Sequence, residues 1–195
     1  TPFDASMAQR SDLLALGDGW LSTLKEERLQ PIEAPTFEGF FDVQTTNFLE
    51  SLDSGLARKV LPVGVSPWVM LFRKGDAWLN NARQSWQVLL APDLKKKVIL
   101  PNSPRLVSSL AERIELPDGL ENLISQTLAF DDRNAINWLI KGSARVVVLP
   151  LSRCLSSLRI DPRLTIALPR VGAPLDWTLL VRPLEAKEPL PEVWI

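Results

Sequence analysis

A layered α/β fold is what this 195-residue sequence predicts, and three observations carry it. Short apolar runs rich in β-branched residues, clearest at Lys97 to Pro101 and Ala144 to Leu149, have the length and make-up of buried strands. Runs with helical spacing stand between them, as in Leu106, Val107, Leu110 and Ile114. Two apolar runs pass straight into a polar helix start, "LLALGDGW" at 13–20 and "VILPNSPR" at 98–105. From residue 68 the order reads strand, helices, strand, helix, strand, strand, and such alternation argues for parallel strands covered by helices.

Taken in chain order, Asp12 to Leu16 reads as a short strand, and Gly17-Asp18-Gly19 leads it into a helix starting near Asp18. Residues 31–44 mix prolines, a glycine and phenylalanines without a period, which predicts loop. Thr46 to Leu52 reads as a short helix capped by Thr45 or Thr46 and ended by Gly55. In "VLPVGVSPWVMLFR", 60–73, the prolines at 62 and 67 break the apolar run, which leaves Trp68 to Phe72 as the strand. Trp78 and Trp86 bracket a loop and a short helix. After the strand at 97–101, Pro104 takes the favoured first helical position behind Ser103. A second helix is expected from Leu120 to Phe130, and a third from Asp131 or Asp132 to Lys141, closed by Gly142. The run at 144–149 is the clearest strand. A short helix around Cys154 follows, then strands at Leu164 to Leu168 and Asp176 to Val181, and a proline-rich exit over 183–191.

Composition narrows the function. The hydrophobic fraction is 46%, the charged fraction 23% and the formal net charge −1. That suits one large domain or two small lobes with a core of their own, and it gives no electrostatic case for nucleic acid. Histidine and tyrosine are absent, which removes Ser-His-Asp and Cys-His catalysis and histidine zinc sites. The single cysteine, Cys154, cannot form an internal disulfide and reads as a small buried apolar side chain. No apolar run reaches the roughly 20 residues of a membrane span. The chain opens at Thr1-Pro2-Phe3 without methionine or a visible signal peptide, and both ends read as cuts, made by processing, by design of the expressed chain, or by taking a piece of a longer one.

In an open α/β sheet, ligands sit beyond the carboxyl ends of strands, where helix N-termini offer free N–H groups. The two strand-to-helix turns therefore supply Gly17, Asp18 and Trp20, and Asn102, Ser103 and Arg105, as candidate binding residues. A helix cap and nothing more is the competing reading for both turns. Neither turn carries a phosphate-loop or dinucleotide fingerprint. Among the seven tryptophans, Trp78, Trp86 and Trp138 read as core anchors, while Trp20, Trp68 and Trp177 stand at strand ends where an aromatic wall is useful. The one adjacent acidic pair, Asp131-Asp132, is explained by helix capping.

Four stretches, in this order and spacing, resemble one known family. They are "SDLLALGDGWL", "LPVGVSPWVMLFRKGD", "SWQVLLAPDLKKKVILPNSPR" and "GSARVVVLPLSRCLSSL" with "LTIALPRVGAPLDWTLLVRP" after it. Together they look like bacterial extracellular solute-binding proteins of the type 2 periplasmic fold, nearest the polyamine (spermidine/putrescine) branch. The resemblance implies a two-lobed α/β fold, incomplete here, with one full lobe and part of the other. The expected limits are residues 1–72 for part of the first lobe, 73–172 for the second, and 173–195 for the return crossing. Hinges are expected near Phe72 to Gly75 and Gly172 to Pro174. The resemblance implies a non-enzymatic solute-binding component of an ABC-type importer that captures a small solute between its lobes. Its partners would be that solute and a membrane permease, with no nucleic acid, no cofactor and no metal. The location would be the periplasm or its membrane face. It places Gly17, Asp18 and Trp20 on the first lobe's cleft edge, Trp68 near the hinge, Asn102, Ser103 and Arg105 on the second lobe's edge, and Asp176 and Trp177 on the return strand. An effector-binding sensory domain of the same fold is the alternative. The chain departs from the polyamine branch at the second-lobe helix start, where Asn102-Ser103-Pro104-Arg105 brings an arginine and no acid. Only Asp18 and Asp176 remain as ammonium partners, and Arg105 suits an anionic or neutral solute better.

Overall fold

The computed structural model describes residues 11–33, 39–75 and 78–190. In chain order the strands and α-helices begin with β1 (Leu14–Gly17), β2 (Leu29–Gln30), α1 (Val43–Glu50), α2 (Ser54–Ala57) and β3 (Val60–Arg73). They continue with α3 (Leu79–Ala82), β4 (Val98–Leu100), α4 (Pro104–Glu112), α5 (Gly119–Gln126) and β5 (Thr127–Phe130). They close with α6 (Ala135–Ile140), β6 (Val146–Pro150), α7 (Leu151–Ile160), β7 (Leu164–Ala167) and β8 (Leu175–Pro183). Short 3-10 turns run over Asp18–Thr23, Glu26–Arg28, Trp86–Leu90 and Pro92–Leu94. The α/β class is as the sequence predicts.

The chain divides into two compact units, residues 1–65 with 177–195, and residues 66–176. The chain passes between them inside β3 and inside β8. The resemblance implies cuts at 72/73 and 172/173, whereas the compact units part at Val65/Ser66 and Asp176/Trp177.

The unit of residues 66–176 is built on a mixed sheet. β4 is parallel to both β5 and β6, while β3 is antiparallel to β6 and to β7. Parallel strands between helices are buried on both faces, so they are apolar at every position. Val98, Ile99 and Leu100 fit that rule, each fully buried. The period of two then sorts side chains into two cores. Met70, Phe72, Val98, Leu100, Val146 and Val148 face one cluster with Trp86, Leu110 and Leu123. Val69, Leu71, Ile99, Val147 and Leu149 face the other with Leu139 and Cys154. Trp86 is an anchor of the first cluster: fully buried, its Nε1 donates to the Gly172 carbonyl at 2.8 Å. Lys95, Lys96 and Lys97 stand exposed at the entry to β4. Gly142, at φ +78, closes α6 where a side chain would be strained.

The unit of residues 1–65 and 177–190 has smaller cores. Leu29, Val60 and Val181 form one, with Leu14, Leu16, Leu21 and Leu24 packed on it. Leu61 and Leu180 form another, with Leu13, Ile32 and Phe41 against it. β1 and β2 each pair antiparallel with β8. The loop after β8 is held to the N-terminal segment, since Asp12 Oδ1 accepts from the amides of Lys187 and Glu188.

Four local expectations are corrected. The prolines at 62 and 67 do not break β3, because its registers with β6 and β7 begin only at Trp68 and Met70, past both prolines. The helix expected from Leu120 to Phe130 ends at Gln126, and Thr127–Phe130 is instead the strand β5 beside β4. Four residues were too few for the period to separate the two. α1 starts at Val43, capped by Asp42, whose carboxylate accepts from the Thr45 amide at 2.8 Å; neither Thr45 nor Thr46 is the cap. Gly55 does not terminate that helix but lies inside α2. Of the loop expected over 31–44, residues 34–38 lie outside the described residues, as does Pro191 of the proline-rich exit.

Candidate functional site

The sequence-predicted binding residues fall on both units, and each group is described in its own. In the smaller unit, Gly17 ends β1 opposite Thr178 of β8, and a Cβ on it would come within 3.9 Å of the Trp177 carbonyl oxygen. Gly17 and Trp177 are thus neighbours. Asp18 opens the 3-10 turn after β1 and is buried, and Trp20, two residues on, is exposed. Trp177 is buried and stacks face to face on Phe48 of α1, with ring centroids 4.5 Å apart.

In the larger unit, Trp68 is buried in the first core opposite Pro150 of β6. Its amide donates to the Pro174 carbonyl at 2.9 Å. Asn102 and Arg105 are exposed and Ser103 half-exposed at the start of α4. Ser103 occupies the cap position without a side-chain bond, and its carbonyl accepts from the Val107 amide. Asp176 is half-buried in β8.

The turn at the head of α4 does have an acid, though not a local one. Asp132 Oδ2 accepts from the Asn102 amide at 3.1 Å, across 30 residues of sequence. Its neighbour Asp131 does not cap α6, which starts at Ala135 behind Asn134, but closes the turn ahead of it. Its Oδ1 accepts from the amides of Arg133 and Asn134, and its Oδ2 from the Trp138 indole. The Asn134 amide, followed by the Trp138 indole, holds the Asp131 carboxyl below the usual carboxylate range. Asp131, Asn134, Asn137, Trp138, Lys141 and Ser143 line a polar surface groove along α6.

A second concavity lies wholly in the smaller unit. Phe40, Phe41, Thr45, Trp177 and the β3 run Leu61 to Val65 line a cavity of about 280 Å³. Its wall arises in an unusual stretch of strand. Leu61 and Pro62 are buried, but Val63, Gly64 and Val65 are all exposed in succession. A strand covered on one face alternates, so three exposed residues in a row mean that neither face is covered there. Phe40 beside it is 83% exposed. Exposed apolar surface gathered around a cavity marks a binding place more often than a solvated face. Among the nine predicted residues, only Trp177 lines it. The others escaped the sequence reading because residues 31–44 read as loop and Pro62 read as a strand break. The available signal was the pair Phe40-Phe41 directly before a capped helix. Among the described residues no group of three or more His, Cys, Asp or Glu is placed to hold a metal, and no helix is long and apolar enough to cross a membrane.

No family model and no curated protein sequence matches the chain. Solved structures do match. A structure titled as a spermidine/putrescine ABC transporter from Listeria monocytogenes is 20% identical, with a TM-score of 0.64, over 94% of this chain and 62% of that one. The apo ferric ion-binding protein A of Pasteurella haemolytica is 15% identical, with a TM-score of 0.67, over 96% of this chain and 65% of that one. A structure titled as a two-component system protein is 13% identical, with a TM-score of 0.70, over 97% of this chain and 65% of that one. The fold is therefore that of the type 2 periplasmic binding proteins. The chain spans about two thirds of the length of these structures or a little less, consistent with part of a two-lobed fold.

Proposed function

We propose that this chain is the solute-binding component of an ABC-type importer and captures a small solute that it passes to a membrane permease. The observation that carries the reading is the aromatic and aliphatic cavity bounded by Phe40, Phe41, Leu61 to Val65 and Trp177, set in a fold shared with solute-binding proteins. Among the described residues the cavity wall carries no general base beside its one hydroxyl, on Thr45, and an apolar wall of this kind suits binding. The solute is gripped by hinge closure, with the hinge sought where β3 and β8 carry the chain from one unit to the other. Ligand binding then biases an open–closed equilibrium by its differential affinity for the closed state. Gly17, Asp18 and Trp20, with Trp68, Asn102, Ser103, Arg105, Asp176 and Trp177, remain the proposed ligand contacts carried by the resemblance. The location proposed with this role is the periplasm or its membrane face.

The experiment is intrinsic tryptophan fluorescence of the chain during titration with a panel of amines, amino acids, sugars and inorganic ions. Seven tryptophans and no tyrosine keep the emission from one fluorophore type. A saturable change with any panel member, accompanied by a raised melting temperature, supports solute binding. A flat response to every solute, with an unmoved melting temperature, overturns it.

A further inference from the structure

We infer that the cavity of the smaller unit receives an uncharged apolar portion of the solute, an aromatic ring or a branched alkyl group, and not an ammonium group or a metal ion. The inference rests on the solute-binding reading and narrows it to a substrate class.

Five observations carry it. None of the nine described lining residues, Phe40, Phe41, Thr45, Leu61 to Val65 and Trp177, bears an ionisable side chain. A cation entering such a site sheds its water and gains only ring faces in return, and a desolvated ion without a counter-charge is strongly disfavoured. The carboxylate that the sequence sets beside Phe41 is Asp42, and it is engaged as the cap of α1. Its Oδ1 accepts from both the amide and the hydroxyl of Thr45, each at 2.8 Å. Of the two described lining side chains with a polar atom, Trp177 carries an indole N–H donor, and Thr45 has its hydroxyl proton committed to Asp42. Its oxygen is left as an acceptor, which suits a single hydroxyl or amide donor on an otherwise apolar solute. Metal binding has no support from side-chain chemistry. The sequence has neither tyrosine nor histidine, and the described residues hold no cluster of three or more potential ligands. Size points the same way. The cavity, about 280 Å³, sits just under the roughly 300 Å³ at which drug-sized pockets begin, which is room for one ring or one branched chain. The exposure of Phe40, Val63 and Val65 completes the case, since apolar side chains left uncovered around a cavity gain by covering an apolar guest.

The test is calorimetric titration of the whole chain with benzyl alcohol and 3-methylbutanol as neutral probes, putrescine as a cation and phosphate as an anion. The same titrations on Phe40→Ala and Val63→Asp follow. Phe40 is 83% exposed and Val63 42%, so neither substitution should shift the melting temperature by more than a few degrees, and a larger shift is read by circular dichroism before binding is interpreted. The expected result is saturable binding of a neutral probe, weakened roughly tenfold by Phe40→Ala and lost in Val63→Asp, with no heat from putrescine or phosphate. Binding of putrescine or phosphate without a neutral probe overturns the substrate class and leaves the solute-binding reading standing. Neutral binding that neither substitution changes also overturns the inference, because the guest then sits elsewhere. No binding of these probes, or of any solute in the fluorescence panel, overturns the solute-binding reading and the substrate class with it.

Discussion

β3 is one strand with two regimes of burial. From Trp68 to Phe72 every side chain is buried, and four of the five are fully covered. From Val63 to Val65 the same strand is bare on both faces. The first stretch lies between antiparallel partners and under two apolar clusters; the second forms a cavity wall. β propensity, high in both, does not distinguish them. What distinguishes them is whether neighbours exist to fill alternate faces. The contrast shows that the larger unit buries its apolar residues in a closed core, whereas the smaller one leaves some of them exposed around a cavity.

The comparison is most exposed to test at the tryptophans. Trp86→Ala removes a fully buried indole from the larger unit and orphans the Gly172 carbonyl. It should cost about 3–5 kcal/mol in urea denaturation. A cost below about 1 kcal/mol would mean that this core is not close-packed. Trp177→Ala in the smaller unit should cost less, about 2–3 kcal/mol, because its site adjoins a cavity into which neighbours and water can relax. A double-mutant cycle with Phe48→Ala should return a coupling of about 0.5–1.5 kcal/mol for the stacked pair. An equal cost at both tryptophans would erase the distinction between the units.

A third probe follows the larger unit alone. Burial, slightly offset by the adjacent Arg153, pushes the Cys154 thiol up from 9.0 to about 11. The folded chain keeps the thiol neutral where the unfolded chain ionises. That contribution to stability is complete below pH 9 and is lost as pH rises to about 11. Thiol labelling at pH 8 should therefore be slow in the native state and track unfolding of residues 66–176. Rapid labelling without denaturant would place Cys154 outside the closed core. The smallest effect lies at Asp161. Its carboxyl is lowered from 3.8 to about 2, first by the Arg163 guanidinium, which pairs with it at 2.7 Å, and then by the Arg163 amide. The stabilisation is present above pH 3.8 and fades as pH falls towards about 2. Asp161→Asn should flatten the acid limb of a melting-temperature profile slightly, as suits an exposed pair. An unchanged acid limb would show that the pair is worth nothing measurable.

Much of the larger unit was legible because its strands are short, β-branched and buried on both faces. Residues 98–100 and 146–149 announce themselves, and so does Ser103-Pro104 at the head of α4. β5 was not legible. Thr127 to Phe130 continues the apolar period of α5 for one turn, and only pairing with β4 makes it a strand. The acid at the head of α4 was equally hidden, since Asp132 reaches Asn102 through the fold and not through the sequence. In the smaller unit the turn at Gly17-Asp18 was readable, but the cavity wall was not. Proline at 62 signalled a break, but that part of β3 lies outside the ladders with β6 and β7, and Phe40-Phe41 gained meaning only once β3 lay beside them.

The split of the chain carries a consequence for its synthesis. Residues 66–176 form a continuous stretch, whereas the smaller unit draws on residues 1–65 and on 177 onward. As the polypeptide leaves the ribosome, everything the larger unit needs emerges before the second half of β8. That unit can condense while the early segment still waits for its partner strand. β1 and β2 both pair with β8, so over that interval they present unsatisfied edges and the bare run of β3. Until β8 is made, those open edges are a place for wrong pairing between chains.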